Sequence, residues 1–195
     1  MSALPGPATL RWRHWLAGAV LGACALAAHG AGLLYQMPYR WVDTDGQSLK
    51  LNQYQGRPVV LTLAYGACKK ICSSSIFAME QMQALADRRK SELQFVIVSL
   101  DPEQDTPADW RELRLSRKLQ RPNWSVLSGS VADTRALAAT LGITVWRYHD
   151  HVLHDFGIAL LDANGNIVRT MRHYDDSIPA FLQGVLATPA TNTPE

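Results

Sequence analysis

The sequence predicts an α/β fold in which a central sheet lies between two layers of helices. Three short apolar runs, rich in β-branched residues, are typical of strands covered on both faces. Amphipathic segments separate these runs, one hairpin precedes them, and a second hairpin with a last helix follows. This order predicts a three-layer sandwich with an N-terminal hairpin. The predicted central strands are 59–64, 93–100 and 124–127.

The first half of the domain supplies the hairpin and the first strand–helix unit. Residues 40–51 should form the hairpin, with Asp45-Gly46 as its turn. A helix is predicted from about Lys69 to Arg89, directly after the first central strand. Its apolar residues recur at helical spacing, which favours core packing, also for the two methionines. They are Cys72, Ile76, Met79, Met82, Leu85 and Ala86.

The second half continues the alternation. Thr106-Pro107 predicts the start of a helix, because Thr is a good N-cap and Pro fits the first helical position. The other predicted elements are a helix over 131–141 ended by Gly142, a hairpin of 156–161 and 166–171, and a helix over 176–187.

This order of elements matches the thioredoxin fold. In that fold the active-site cysteines open the helix that follows the first central strand, and Cys68 and Cys72 fall at that point. Ligands of open α/β sheets also bind beyond the carboxyl ends of the strands. The fold prediction therefore directs attention to the segment after residue 64.

The N-terminal part of the chain predicts export. Of the 195 residues, the twenty from 16 to 35 carry no formal charge, and Arg11 and Arg13 stand before them. Twenty helical residues rise about 30 Å, the thickness of a bilayer core. A retained signal anchor, a cleaved signal peptide and a lipoprotein signal at Cys24 all fit this segment. Each alternative places the following domain outside the cytoplasmic membrane.

The expected organisation therefore has four parts. These are a cytoplasmic n-region over 1–15, a signal anchor or signal peptide over 16–36, the thioredoxin-like domain over 40–187, and a disordered tail over 188–195.

The charge balance argues against nucleic acid as a partner. The chain has 19 basic and 17 acidic residues, and Arg11, Arg13 and Arg40 account for three of the basic ones. The domain therefore has a nearly balanced charge, without the basic excess that phosphate backbones require.

The Cys pair permits two chemistries. Cys68 and Cys72 form a C-x-x-x-C step, and residues four apart on a helix lie about 5–6 Å apart. Two thiolates at that distance can hold one soft metal ion or close into a disulfide. Lys69, Lys70 and the helix N-terminus favour the thiolate form, which serves both chemistries.

A histidine could complete a metal site. His149, His151 and His154 lie close together, and His154 comes just before the predicted strand 156–161. Thioredoxins have a cis-proline at this entry point, but this chain has no proline between Pro122 and Pro179. A histidine in that place favours metal binding over disulfide exchange, since imidazole and thiolate together suit copper.

A third stretch completes a family pattern. Ser99-Leu100-Asp101-Pro102-Glu103-Gln104-Asp105-Thr106-Pro107 follows the second central strand. Together with the C-x-x-x-C and the late His before an Asp-x-x-Gly turn, it resembles the Sco/SenC family. The resemblance covers about residues 40–187, and a membrane-anchored N-terminus is also typical of that family.

The resemblance implies a copper-binding protein that assembles the copper site of cytochrome c oxidase, or a thiol-disulfide oxidoreductase serving the same site. Carried over, Cys68, Cys72 and His154 would be the copper ligands, and Cys68 with Cys72 the redox pair. The implied partner is a copper-receiving subunit of a respiratory oxidase. The implied location is the bacterial inner membrane, with the domain in the periplasm.

The sequence departs from the family pattern in two places. Members usually have Pro after each cysteine, whereas Lys69 and Ser73 follow here. A less rigid, more basic loop favours redox use. The family His is often preceded by Asp, which fits Asp150-His151, but the distance to Gly165 fits His154. His151 therefore stays open as the rival third ligand.

Overall fold

The structure is a computed structural model that describes residues 32–66, 73–149 and 151–187. Nine strands occur in these ranges: β1 Trp41–Asp43, β2 Ser48–Leu49, β3 Val59–Ala64, β4 Gln94–Ser99, β5 Trp124–Ser128, β6 Val145–Tyr148, β7 His151–His154, β8 Ile158–Leu161 and β9 Ile167–Met171. The helices there are α1 Leu33–Gln36, α2 Ser73–Arg88, α3 Pro107–Ser116, α4 Val131–Thr140, α5 Ile178–Phe181 and a 3₁₀ turn at Leu51–Tyr54.

Seven strands form one mixed sheet in the order β2-β1-β5-β4-β3-β8-β9. The three central strands β3, β4 and β5 are parallel, while β8 runs antiparallel to β3 and β1 antiparallel to β5. The predicted strand at 59–64 is confirmed at both ends. The N-terminal hairpin is also confirmed, and its turn is fixed by Asp43 Oδ1, which accepts from the backbone N–H groups of Asp45 and Gln47.

The core lies on both faces of this sheet, which confirms the three-layer prediction. Alternate residues of β3 supply the two sides: Leu61 and Leu63 pack with α4, and Val60 and Ala64 pack with α2, α3 and α5. Met79 and Met82 are fully buried in the second cluster, as predicted for packing residues.

Two helix ends follow from their sequences. Thr106 Oγ1 accepts from the backbone N–H of Asp109, and the Asp109 carboxylate accepts from the backbone N–H of Thr106. This reciprocal capping box satisfies donors at the start of α3. Gly142 has φ +65°, the left-handed conformation that terminates a helix, and α4 ends as predicted.

The structure differs from the predictions in two places. The segment predicted as a helix over 176–187 contains only the short α5, because Gly184 has φ +84° and turns the chain out of the helix. Residues 145–154, for which no strand was predicted, form a separate two-stranded ribbon of β6 and β7.

Residues ahead of the predicted domain also pack against its core. Leu34 and Tyr35 of α1, expected at the end of the membrane segment, are buried in the first core cluster. Gly32 donates its backbone N–H to the carbonyl of Asn164, in the turn between β8 and β9. No helix in the described ranges is long and apolar enough to cross a bilayer. Most of the predicted membrane segment and the predicted tail 188–195 lie outside the described residues.

Candidate metal and thiol site

The carboxyl end of β3 leads into the Cys segment. Cys68 and Cys72 themselves lie outside the described residues, and Gly66 is the last described residue before them. Leu100 donates its backbone N–H to the carbonyl of Ala64, which ties the end of β3 to the loop after β4. A Cβ atom at Gly66 would lie 3.0 Å from Oδ1 of Asp105, so glycine allows the close approach of that carboxylate.

The loop after β4, residues 99–105, is built around two buried carboxylates. Asp101 and Asp105 are 2% and 3% exposed. Ser99 Oγ donates to Asp105 Oδ2 over 2.6 Å, and the backbone N–H groups of Gln104 and Asp105 donate to the carbonyl of Asp101. Such a closed turn holds both acids at fixed positions, and Asp105 lies beside Gly66.

His154 is the last residue of β7 and lies at the base of the ribbon, paired with Val145. His151 pairs with Tyr148 at the opposite, turn end of the ribbon. The His154 ring is half-buried, and its Nδ1 lies 2.8 Å from the backbone carbonyl of Asp155. Nδ1 must therefore carry the proton in that contact, which leaves the lone pair of Nε2 for a metal ion.

The register between β3 and β8 shows which end of β3 lies beside the base of the ribbon. Thr62 pairs with Ile158, and Thr62 Oγ1 donates to the carbonyl of Gly157 over 2.7 Å. The linker 155–157 between β7 and β8 therefore lies at the carboxyl end of β3, the same end that Gly66 follows. In the sequence Gly66 precedes Cys68 by two residues, so the base of the ribbon lies at the edge of the sheet from which the chain leads to Cys68.

An ion pair joins the ribbon to the loop after β4. Arg147 Nη2 lies 3.1 Å from Asp101 Oδ2, and the side chains are 49% and 1% exposed. This pair was not predicted from the sequence, because the ribbon was not predicted and the partners are 46 residues apart. The available signal was the spacing of Val145 and Arg147, because residues two apart on a strand share one face.

The junction between ribbon and sheet is fixed by Asp155. Its carboxylate accepts from the backbone N–H of Thr144 over 3.0 Å, and its own N–H donates to the carbonyl of Thr144. Hydrogen bonds from Thr144 hold the pKa of Asp155 below its usual value. A deprotonated carboxylate therefore secures the two ends of the ribbon beside His154.

No three His, Cys, Asp or Glu side chains cluster as a metal site within the part of the chain that the structure describes. His154 is the one proposed copper ligand whose side chain is described. The predicted ligand set of Cys68, Cys72 and His154 stays a prediction.

The layered sheet, with a thiol segment after its first central strand, defines a thioredoxin-like protein. A family model described as SCO1/SenC matches residues 28–185. The chain belongs to the SCO1/SenC family.

Similar proteins agree with this assignment. The SCO1 protein homolog of Bacillus subtilis is 23% identical over 150 residues, which is 72% of this chain and 78% of that protein. The structure of a SCO1/SenC family lipoprotein from Bacillus anthracis has a TM-score of 0.66 at 22% identity, covering 76% of this chain and 94% of that one. Arabidopsis thaliana ScoI, with copper bound, has a TM-score of 0.65 at 20% identity, with the same coverage.

A further similar structure is BsSco, described with a disulfide switch and as a member of the Sco family of cytochrome c oxidase assembly proteins. Its TM-score is 0.64 at 22% identity, covering 77% of this chain and 93% of that one.

Proposed function

We propose that this protein is a copper-binding assembly factor that holds one copper ion between Cys68, Cys72 and His154. The observation that carries the proposal is His154: its Nδ1 is engaged by the Asp155 carbonyl, and the linker that follows it lies at the carboxyl end of β3, from which the chain leads to Cys68. Family membership and the copper-bound Arabidopsis relative support it.

The chemistry of this donor set suits copper. Two thiolates hold a soft ion such as Cu(I), and an added imidazole extends the site to the harder Cu(II). Delivery would proceed by ligand exchange, with the ligands of a respiratory oxidase subunit replacing the thiolates and imidazole. The family description of BsSco as an assembly protein supports that class of recipient.

We further propose that the domain works outside the cytoplasmic membrane, on the periplasmic side of a bacterial inner membrane. The uncharged run 16–35 after Arg11 and Arg13 supports an export or anchoring segment. The lipoprotein relative from Bacillus anthracis is consistent with a membrane-associated protein.

Copper analysis of the reduced, full-length chain under anaerobic conditions tests the site. Wild-type protein should bind one copper per chain, and Cys68→Ala or Cys72→Ala should abolish stoichiometric binding. His154→Ala should weaken binding by at least about 10-fold. His173→Ala, which removes an exposed histidine outside the ribbon, is the matched control.

His151→Ala distinguishes the rival ligand. If His151→Ala weakens copper binding and His154→Ala does not, the third ligand is His151 and our assignment is wrong. Copper uptake should also weaken as pH falls, because both thiols must lose their protons before they bind.

The second candidate function is a thiol-disulfide oxidoreductase, favoured by Lys69, Lys70 and the disulfide switch described for BsSco. In that reaction the two thiols of Cys68 and Cys72 reduce a partner's disulfide to two thiols and themselves form a disulfide. Stopped-flow reduction of a model disulfide decides between them. Reductase activity that survives His154→Ala, without stoichiometric copper binding by the wild type, would favour the oxidoreductase.

A further inference from the structure

The β6–β7 ribbon has few attachments to the rest of the domain. Among the described side chains, Arg147 makes the only hydrogen bond from residues 145–154 to another element, and it goes to Asp101. Val152 packs into the first core cluster. Elsewhere the ribbon stands over an open cavity of about 310 Å³, lined by Gln104, Thr134 and Arg135 among others. The position of the ribbon therefore depends on a small number of contacts.

The same face of the ribbon carries both Arg147 and His154. Directly opposite residues of an antiparallel pair share a face, and alternate residues along each strand do so too. Val145 pairs with His154 and Arg147 pairs with Val152, so these four positions lie on one face. A contact that fixes Arg147 also fixes the direction in which His154 is presented.

The anchor of this contact is a rigid acceptor. Asp101 is almost fully buried, and its loop is closed by backbone hydrogen bonds from Gln104 and Asp105 to its own carbonyl. A buried carboxylate needs a cationic partner, because its desolvation is otherwise uncompensated. Arg147 is the described cation that meets this carboxylate.

The other end of the same loop contacts the chain at the end of β3. Asp105, four residues after Asp101, is held by Ser99 and lies against Gly66. The loop 99–105 thus contacts both the ribbon that carries His154 and the strand end that leads to Cys68.

We propose that Asp101 is a positioning residue for His154: through Arg147 it holds the ribbon so that His154 stays at the carboxyl end of β3. The inference rests on the proposed function, since it assigns His154 as the third ligand. It also makes a structural claim that does not involve copper, namely that the ion pair restrains the ribbon.

Two measurements on the full-length, reduced chain test the proposal. Arg147→Gln breaks the ion pair at its half-exposed partner and keeps the buried loop intact. Asp101→Asn breaks the same pair by removing the charge of its buried partner. Both should speed amide hydrogen exchange in residues 145–154, and both should weaken copper binding on the order of 10-fold. Arg117→Gln is the matched control, because it breaks a 3.0 Å ion pair with Glu80 far from the ribbon.

A double variant separates positioning from general stability. If Asp101 acts through His154, Arg147→Gln should cost nothing further in a His154→Ala background. The proposal is overturned if ribbon exchange in Arg147→Gln matches the wild type, or if the two copper-binding losses multiply. Should the wild type bind no copper, the proposed function fails, and ribbon exchange alone still decides whether the ion pair restrains the ribbon.

Discussion

Among the single residues around the site, Gly66 packs against groups that are themselves held in place. Its neighbours are the Asp105 carboxylate, 3.0 Å and 3.3 Å from a hypothetical Cβ, and the Trp110 ring at 3.3 Å. The buried indole cannot move easily, and Asp105 is held by Ser99. A side chain at position 66 would therefore displace either the loop after β4 or the chain at Gly66 itself.

Gly66→Ala should lower the free energy of unfolding by about 1–3 kcal/mol, because it overpacks a closed contact. Chemical denaturation of the reduced protein measures this. In an Asp105→Ser background the added methyl group has room, so the same substitution should cost less there. Equal costs in both backgrounds would show that the carboxylate contact is not the cause.

The residues of the proposed site were only partly predictable. The distance from His154 to Gly165 and the missing proline identified His154 as a candidate. The protonated Nδ1, by contrast, depends on the backbone carbonyl of Asp155, which a side-chain pattern does not show. The Asp101–Arg147 pair was invisible because its partners lie on elements whose contact only the folded chain defines.

At the scale of elements, the turn between β8 and β9 is fixed by the chain that enters the domain. The Tyr35 ring packs on Gly165, where a Cβ would lie 2.4 Å from a ring carbon. Gly165 has φ +87°, and Asp162 accepts from the backbone N–H groups of Asn164 and Asn166. The N-terminal helix α1 and this turn therefore stabilise each other.

Gly165→Ala should lower the free energy of unfolding by about 2–4 kcal/mol, since it combines left-handed backbone strain with a steric clash. Gly46→Ala is the matched control, because Gly46 has φ +82° and nothing within 4 Å of a Cβ. The control should cost only about 1 kcal/mol. Thermal or chemical unfolding measures both variants. If Gly165→Ala and Gly46→Ala lower the free energy of unfolding by similar amounts, the contact with Tyr35 is not the cause.

Elements with a continuous apolar run or a clear turn signal were predicted well, and the exposed ribbon of β6 and β7 was not. β3 is buried at every position, so its residues Val59–Ala64 marked the strand directly. β6 has three exposed residues in succession, among them Trp146 and Tyr148, and so offers neither alternation nor an apolar run. Exposed ribbons of this kind form through backbone pairing, which hydrophobic patterns do not report.

At the scale of the whole molecule, two buried tyrosines make the free energy of unfolding depend on pH in the alkaline range. Burial raises the pKa of Tyr35 from 10 to about 12, and burial also raises the pKa of Tyr54. Because the folded state disfavours the phenolate, the unfolded chain loses its proton first as pH rises. The stabilisation is thus complete below about pH 10 and is lost as pH rises towards about 12.

Tyr35 alone should account for roughly 2–3 kcal/mol of that loss. Tyr35→Phe should make the pH dependence of unfolding shallower above pH 10. It should cost little at neutral pH, because the Tyr35 hydroxyl has no hydrogen-bond partner among the described residues. Urea unfolding at a series of pH values measures both effects, and an unchanged alkaline slope would contradict the assignment.

The position of Gly32 also decides from which side an N-terminal anchor would hold the domain. The chain enters beside the β8–β9 turn, and the register places that turn at the Val59 end of β3, whereas Gly66 follows the Ala64 end. Six strand residues span about 20 Å. An anchor attached ahead of Gly32 would therefore hold the domain at the edge of the sheet opposite to Gly66. A protein that approaches the Gly66 edge would then not compete for space with the surface that carries such a tether.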